Sequence, residues 1–322
     1  MAHDYRLRQI MLQAKCPNME FAEKEFTLTY MLQALSESNA LAGIAFKGGT
    51  CIRKMLSGPS SRLSTDLDFT SLSTDQDPDA LVLDFHRISE KPFHGFRFSM
   101  DLESGSGWYF SGDSVGFGIG YEHEQMGLSG EIRVQISLRA APILEPITSN
   151  QLAQGYFKSV GFEPAALLRL RVEEMLAEKI RALCQRQKTR DLYDLHWFAA
   201  FPHVQDVVRG LVVQKLWESS DSFNFEYFKS RLSSEMDWDW DDLGQIVRGF
   251  DRRLGSRMLD KCSSAFAFLA YLSSEECTLA TDRHRKRVAE ATNAAANLRQ
   301  LAAEGEAPHW ACAHERPIGL IQ

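Results

Sequence analysis

The sequence predicts an α+β fold, a mixed β-sheet with flanking helices followed by an all-helical C-terminal domain. Three observations predict it. Between residues 40 and 70, short apolar runs adjoin a glycine corner and an acidic pair. Alternating side chains and frequent glycines fill 96–139, the pattern of antiparallel strands and turns. After Pro164 almost every segment carries helical periodicity. The change falls near residue 160, so two units are expected, 1–160 and 161–322, as the length of 322 residues also suggests.

In chain order, residues 18–37 place Phe21, Phe26, Leu28, Met31, Leu32 and Leu35 at near-helical spacing. A short apolar strand is expected to end at Phe46. Lys47-Gly48-Gly49-Thr50 then turns the chain into a helix over 51–56. A second strand is expected over 67–69 and a helix over 73–92. Strands are expected over 96–100, 108–110, 115–119 and 132–138, with Pro142 and Pro146 closing the sheet. Gly105, Gly107, Gly112, Gly116, Gly118 and Gly120 are expected in turns or a flap. Helices are expected over 165–187, 190–201, 203–217, 224–234, 241–255, 258–273 and 293–301.

Hydrophobic residues make up 44% and charged residues 25%, the balance of a globular protein. No run approaches the roughly 18 apolar residues of a membrane helix. Met1-Ala2-His3-Asp4 is not followed by a basic and then apolar stretch, so no secretory signal is expected. The six cysteines are scattered, with no C-x-x-C, which fits reduced thiols and a cytoplasmic location. A net charge of −7 argues against a broad nucleic-acid footprint, so any contact with RNA must use local basic patches.

Three constellations carry chemistry. In Ser64-Thr65-Asp66-Leu67-Asp68-Phe69 the two acids share a strand face. Carboxylates so placed repel unless a cation lies between them, and Mg²⁺ suits such a pair together with substrate phosphates. In Phe46-Lys47-Gly48-Gly49-Thr50, paired glycines let backbone amides approach a ligand, and the helix start offers unpaired N–H groups to phosphate. Lys47 adds charge and Thr50 a hydroxyl. The third constellation is a helix carrying Glu174, Glu178, Lys179 and Arg181, followed by Arg190-Asp191-Leu192-Tyr193-Asp194-Leu195, in which Asp191 and Asp194 share a face. Each has a bland alternative: a solvated acidic turn, a plain strand–turn–helix corner and a surface of ion pairs.

Taken together, K-G-G-T, then S-T-D-L-D-F with its first acid sixteen residues after Thr50, then the Glu178-Lys179 helix, then R-D-L-Y-D-L, resemble the AbiEii/AbiGii family of nucleotidyltransferase toxins, whose plan the mycobacterial MenT toxins share. Glu23-Lys24-Glu25-Phe26 is similar to that family's N-terminal signature, and the resemblance covers about residues 18–200. It implies a nucleotidyltransferase-fold domain of the DNA polymerase β type, with Lys179 and Asp191 reaching its site from the helical domain. Asp66 and Asp68 would hold Mg²⁺, with Mn²⁺ as the other metal expected. Lys47, Gly48, Gly49, Thr50 and Asp194 would bind the nucleotide, and Lys179 and Asp191 would join Asp66 and Asp68 in catalysis.

The implied reaction passes a nucleoside monophosphate from an NTP to an RNA acceptor, a tRNA in particular, in a toxin countered by a co-encoded antitoxin protein. The sequence departs from the polymerase pattern at one point. Gln135 stands where a third carboxylate is expected, leaving Glu131 or Asp191 to take that role. Two other readings stay open: a phosphotransferase acting on a protein hydroxyl, and a non-catalytic nucleotide-binding module. Outside these motifs, His309 to His314 has metal-type side chains at no common zinc spacing. His196 sits among core residues. The basic run 282–287, and Arg169, Arg171, Arg181, Arg186 and Lys188, are the candidate RNA contacts.

Overall fold

The structure is a computed structural model and describes residues 2–102 and 107–305. The cluster at 309–314 and Cys312 lie outside the described residues. The helices are α1 (Ala2–Gln13), α2 (Met19–Glu37), α3 (Gly48–Cys51), α4 (Pro78–His86), α5 (Phe157–Val160), α6 (Val172–Gln185), α7 (Thr189–Phe198), α8 (Gln205–Glu218), α9 (Phe225–Ser230), α10 (Trp240–Ile246), α11 (Arg252–Ala265), α12 (Ser274–Ala280) and α13 (Val288–Glu304). The strands are β1 (Ile44–Lys47), β2 (Leu67–Ser71), β3 (Phe96–Ser99), β4 (Trp108–Phe110), β5 (Ser114–His123), β6 (Leu128–Ser137), β7 (Ile147–Asn150) and β8 (Ala166–Arg169).

All eight strands form one mixed sheet in the order β3-β5-β6-β2-β1-β8-β7, with β4 also beside β5. Alternation sorts its two faces. Phe46, Phe69 and Phe117 point to one side, and the rings of Phe46, Phe69, Phe85 and Phe117 follow one another at centroid distances of 5.2, 5.6 and 5.1 Å. This face is closed by α2 and α4, whose Phe26, Leu28, Leu81 and Phe85 are buried. The other face carries Lys47, Asp68 and Gln135.

The start of the second helix is set locally. Asn18 caps α2, its side chain accepting from the Phe21 amide at 3.0 Å. Within α2, Glu25 is buried and holds two cations of the segment that follows the glycine corner, Arg53 Nε at 2.8 Å and Lys54 Nζ at 2.7 Å. That segment, Ile52–Ser57, continues α3 as a π-helical turn. One residue of the expected N-terminal signature thereby anchors the corner from behind.

The expected helix over 165–187 is corrected in its first third. Residues 166–169 form β8, parallel to β1, with Leu170 N–H donating to the Phe46 carbonyl at 3.1 Å, and α6 begins only at Val172. Alternating burial in this strand, held between β1 and β7, outweighs helix propensity. The sheet therefore runs past residue 160. Pro142 and Pro146 do not close it, because β7 follows them and pairs with β8. Gly116, Gly118 and Gly120 lie inside β5 rather than in turns. The helices expected over 241–255 and 258–273 are re-divided around Gly249, whose φ is +71°, and Asp251, which caps α11. Among the described residues no helix is long and apolar enough to cross a membrane, and the five described cysteines are free.

Candidate active site

The two motifs of the first half meet because β1 and β2 are antiparallel partners, with Lys47 opposite Asp68. Asp68 in turn lies opposite Gln135 of β6. Gly48 follows at φ +78°, a left-handed conformation that suits glycine, and a Cβ there would overlap the Asp68 carboxylate. Gly49 is needed for a different reason: its Cβ would overlap the Arg62 guanidinium. The carboxylate of Asp68 therefore lies directly against the first turn residue.

Helices α6 and α7 lay a row of cations and acids over this corner. Lys179 Nζ lies 2.8 Å from Asp194 and 3.0 Å from Asp191. Asp194 also receives both arms of Arg62, at 2.8 and 2.7 Å, and Asp191 receives Arg186 Nε at 2.9 Å. Lys47 Nζ donates to Glu178 at 3.2 Å, and Lys215 of α8 stands 2.6 Å from Glu174 and 3.6 Å from Glu178. Glu174 accepts the amides of Ile143 and Leu144 at 3.2 and 3.1 Å. The charges form two alternating runs, Glu174–Lys215–Glu178–Lys47 and Arg62–Asp194–Lys179–Asp191–Arg186, in which each buried ion has a partner of opposite sign.

The groups enclose a cleft of about 350 Å³ lined by Lys47, Gly48, Asp68, Gln135, Glu178, Lys179, Arg181 and Arg186, with Asp113 and Arg139 at the hairpin side. Burial lifts the Asp68 carboxyl above its ordinary range; Lys47 and Lys179 oppose this, while Asp66 and Glu178 add to it. Burial acts against the Lys179 ammonium too, yet Asp194 and Asp191 outweigh it and hold the lysine above its usual value. Burial would raise Glu178, but Lys47 and Lys215 hold it down to about 2. Lys179 thus stays charged near a carboxyl, Asp68, whose ionised form burial disfavours.

The expected site residues divide into three groups. Lys47, Gly48, Asp68 and Lys179 line the cleft. Asp66 stands exposed beside it, one residue before β2. The remainder support the site from behind. Thr50 is 0% exposed and its hydroxyl donates to the Asp66 carbonyl, so it ties the glycine corner to the acidic segment and offers no hydroxyl to phosphate. Asp191, 0% exposed, and Asp194, 1% exposed, are consumed by Lys179, Arg186 and Arg62. Neither is placed as a base or a nucleotide ligand. Glu131 does not reach the cleft either: its carboxylate lies over Gly118 of β5.

Sequence reasoning passed over Arg62, which joins Gly49 to Asp194, and left Glu178 without a role. It placed Arg181 on RNA, whereas Arg181 lines the cleft. Among the described residues no group of three or more His, Cys, Asp or Glu side chains is arranged to hold a metal. Neither Asp66 nor Asp68 makes a side-chain hydrogen bond or ion pair among these residues, and the charge of Asp66 is near enough to act on Asp68. The donor set, two anionic oxygen groups two residues apart, fits a hard divalent cation that completes its shell with water and phosphate.

Comparison with known proteins agrees with this geometry. No curated protein matches by sequence. Among solved structures, MenT4, a nucleotidyltransferase toxin from Mycobacterium tuberculosis H37Rv, is similar at a TM-score of 0.75 and 25% identity, over 91% of this chain and 99% of that one. Two Helicobacter pylori crystal structures, one of them of JHP933, match at a TM-score of 0.44, with 15% and 14% identity over 74% of this chain and 92% and 89% of theirs. The family model described as nucleotidyl transferase AbiEii toxin, type IV toxin–antitoxin system, matches residues 30–251, and it spans the glycine corner, the acidic pair and both site helices. The chain therefore belongs to the AbiEii family of nucleotidyltransferase toxins.

Proposed function

We propose that this toxin transfers a nucleoside monophosphate from an NTP to a hydroxyl of an RNA acceptor, a tRNA, in the cytoplasm, with Mg²⁺ held by Asp66 and Asp68. One observation carries the reading. Asp68 packs against Gly48 in a cleft that also presents Lys47, Lys179 and Arg181. An acid that lacks a cation partner, surrounded by lysine and arginine, suits a metal–triphosphate and not an uncharged ligand.

The residues divide the work. Gly48 brings its backbone amide to the phosphates with no side chain of its own in the way, and Gly49 lets the corner close on Arg62. Lys47 and Lys179 face the charge that builds on the leaving pyrophosphate, and Arg181 adds a forked donor. Asp191 and Asp194 fix the Lys179 ammonium in place. Mg²⁺, when bound, would neutralise phosphate charge and orient the reacting oxygens. The transition state of phosphoryl transfer is loose, so positioning and charge carry most of the catalysis. That accommodates a site with Gln135 where a base is expected. The toxin–antitoxin setting of the family implies an antitoxin as partner, which we take to be a co-encoded protein.

Incubation with α- and γ-labelled triphosphates and total RNA tests the reading. Label from the α position is expected on RNA with wild type and not with Asp68→Ala. Label from the γ position on protein would replace nucleotidyl transfer by phosphotransfer. Binding of NTP with no transfer from either position would make the chain a binding module.

A further inference from the structure

A single cross-strand row crosses the cleft face of the sheet: Lys47, Asp68, Gln135, Gly116 and Tyr109, each directly paired with the next. Directly opposed residues point to the same face. Tyr109 therefore stands on the face that carries Asp68, three strands away, or about 14 Å at the usual ladder spacing. Gly116 decides where its ring goes. A Cβ there would overlap the Tyr109 ring atoms Cε1 and Cζ, so the ring leans back across β5 towards Gln135. Tyr109 is nevertheless 53% exposed, so much of its surface faces solvent. Phe110, equally exposed, pairs with Val115 and points to the opposite face.

In-line displacement gives the row a direction. Attacking and leaving oxygens lie on opposite sides of the phosphorus. With the triphosphate on Lys47 and Gly48, pyrophosphate leaves at the β1 end, and the acceptor hydroxyl enters from the β6–β5–β4 end. The acceptor's reacting nucleotide then lies over Gln135 and Gly116, beside Tyr109. We propose that the Tyr109 ring, held over Gly116, is the platform on which the base of that acceptor nucleotide stacks. The proposal rests on the RNA-acceptor reading above. Aromatic rings on open sheet faces stack bases with little regard to identity, because every base presents a π-face.

Binding separates this proposal from the reading beneath it. In the Asp68→Ala full-length protein without NTP, filter retention of bulk deacylated tRNA is expected to weaken about tenfold on adding Tyr109→Ala. Tyr109→Phe should keep the affinity, and Gly116→Ala, which displaces the ring, should lose it. In the otherwise wild-type enzyme, Tyr109→Ala should raise the KM for tRNA and leave the KM for NTP unchanged. Equal tRNA affinity in all variants overturns the proposal. So does a loss of NTP affinity with tRNA binding intact, which would assign the ring to the donor base. A wild type that binds tRNA through Tyr109 but never labels it would sink transfer to tRNA and leave the platform standing.

Discussion

Gly48 and Asp68 share one small volume: the acid's carboxylate occupies the space where a Cβ on Gly48 would stand. Gly48→Ala therefore both strains a left-handed turn, at φ +78°, and pushes Asp68 out of place. A displacement of about 1 Å can cost on the order of a hundredfold in rate, so transfer is expected to fall at least that far. Gly249→Ala is the control. Its φ of +71° imposes similar backbone strain, but nothing lies within 4 Å of the added Cβ. It should lose about 1–2 kcal/mol of stability and keep its kcat. Equal kcat loss in the two variants would detach the Gly48–Asp68 contact from catalysis.

The burial of Asp191 leads to a second expectation. Its carboxylate is shared between Lys179 at 3.0 Å and Arg186 at 2.9 Å, and the cleft lining does not include it. Asp191→Asn leaves Lys179 bound to Asp194, so the ammonium loses one of two holders. Transfer is expected to fall roughly tenfold, with the pH–rate profile keeping its shape. A general base supplies about 10²–10⁴. A thousandfold loss that removes the acidic limb of the profile would return Asp191 to that role.

How far the sequence foretold this site depends on how local each feature is. The glycine corner and the acidic pair are contiguous in sequence, and antiparallel pairing of neighbouring strands brings them together. Lys179, Asp191 and Asp194 were legible as charged residues among apolar ones, but their partners were not. Arg62 belongs to no motif, and its bidentate grip on Asp194 spans 132 positions in the chain. Lys47 and Glu178 are 131 apart. Thr50 read as a phosphate donor because nothing local reveals that its hydroxyl is already bound to Asp66. The β8 segment Ala-Leu-Leu-Arg reads as helix by propensity, and only the vacancy beside β1 makes it a strand.

Gln135 gives a third prediction. It lies directly opposite Asp68, so Gln135→Glu sets a second carboxylate beside one that burial already disfavours in its charged form. Like charges on directly opposed strand residues destabilise. Without divalent cation the variant should melt several degrees below wild type. With millimolar Mg²⁺ or Mn²⁺ the gap should close or reverse, because a ligand of the folded state alone stabilises it. Thermal shift with and without EDTA measures both. A melting temperature that ignores metal in wild type and variant alike would argue against a cation between Asp66 and Asp68.

Acid should unfold the protein through two ion-paired glutamates, the buried Glu25 and the half-buried Glu178. Burial alone would raise Glu25 and Glu178, but Arg53 and Lys54 hold Glu25 down to about 2, and Lys47 and Lys215 do the same for Glu178. The unfolded chain takes up these protons near 4.5, whereas the folded one resists until about 2. The stabilisation is thus fully present above 4.5 and is lost as pH falls from there towards 2. A difference of this size is worth roughly 3 kcal/mol for each group. Urea midpoints should be flat from pH 7 to 5 and drop steeply between 4.5 and 2.5. Glu178→Gln removes one titrating group and should shallow that drop while lowering stability at pH 7. A variant as steep as wild type would mean that the acid limb belongs to other carboxylates and that the Lys47–Glu178 contact contributes little to the folded state.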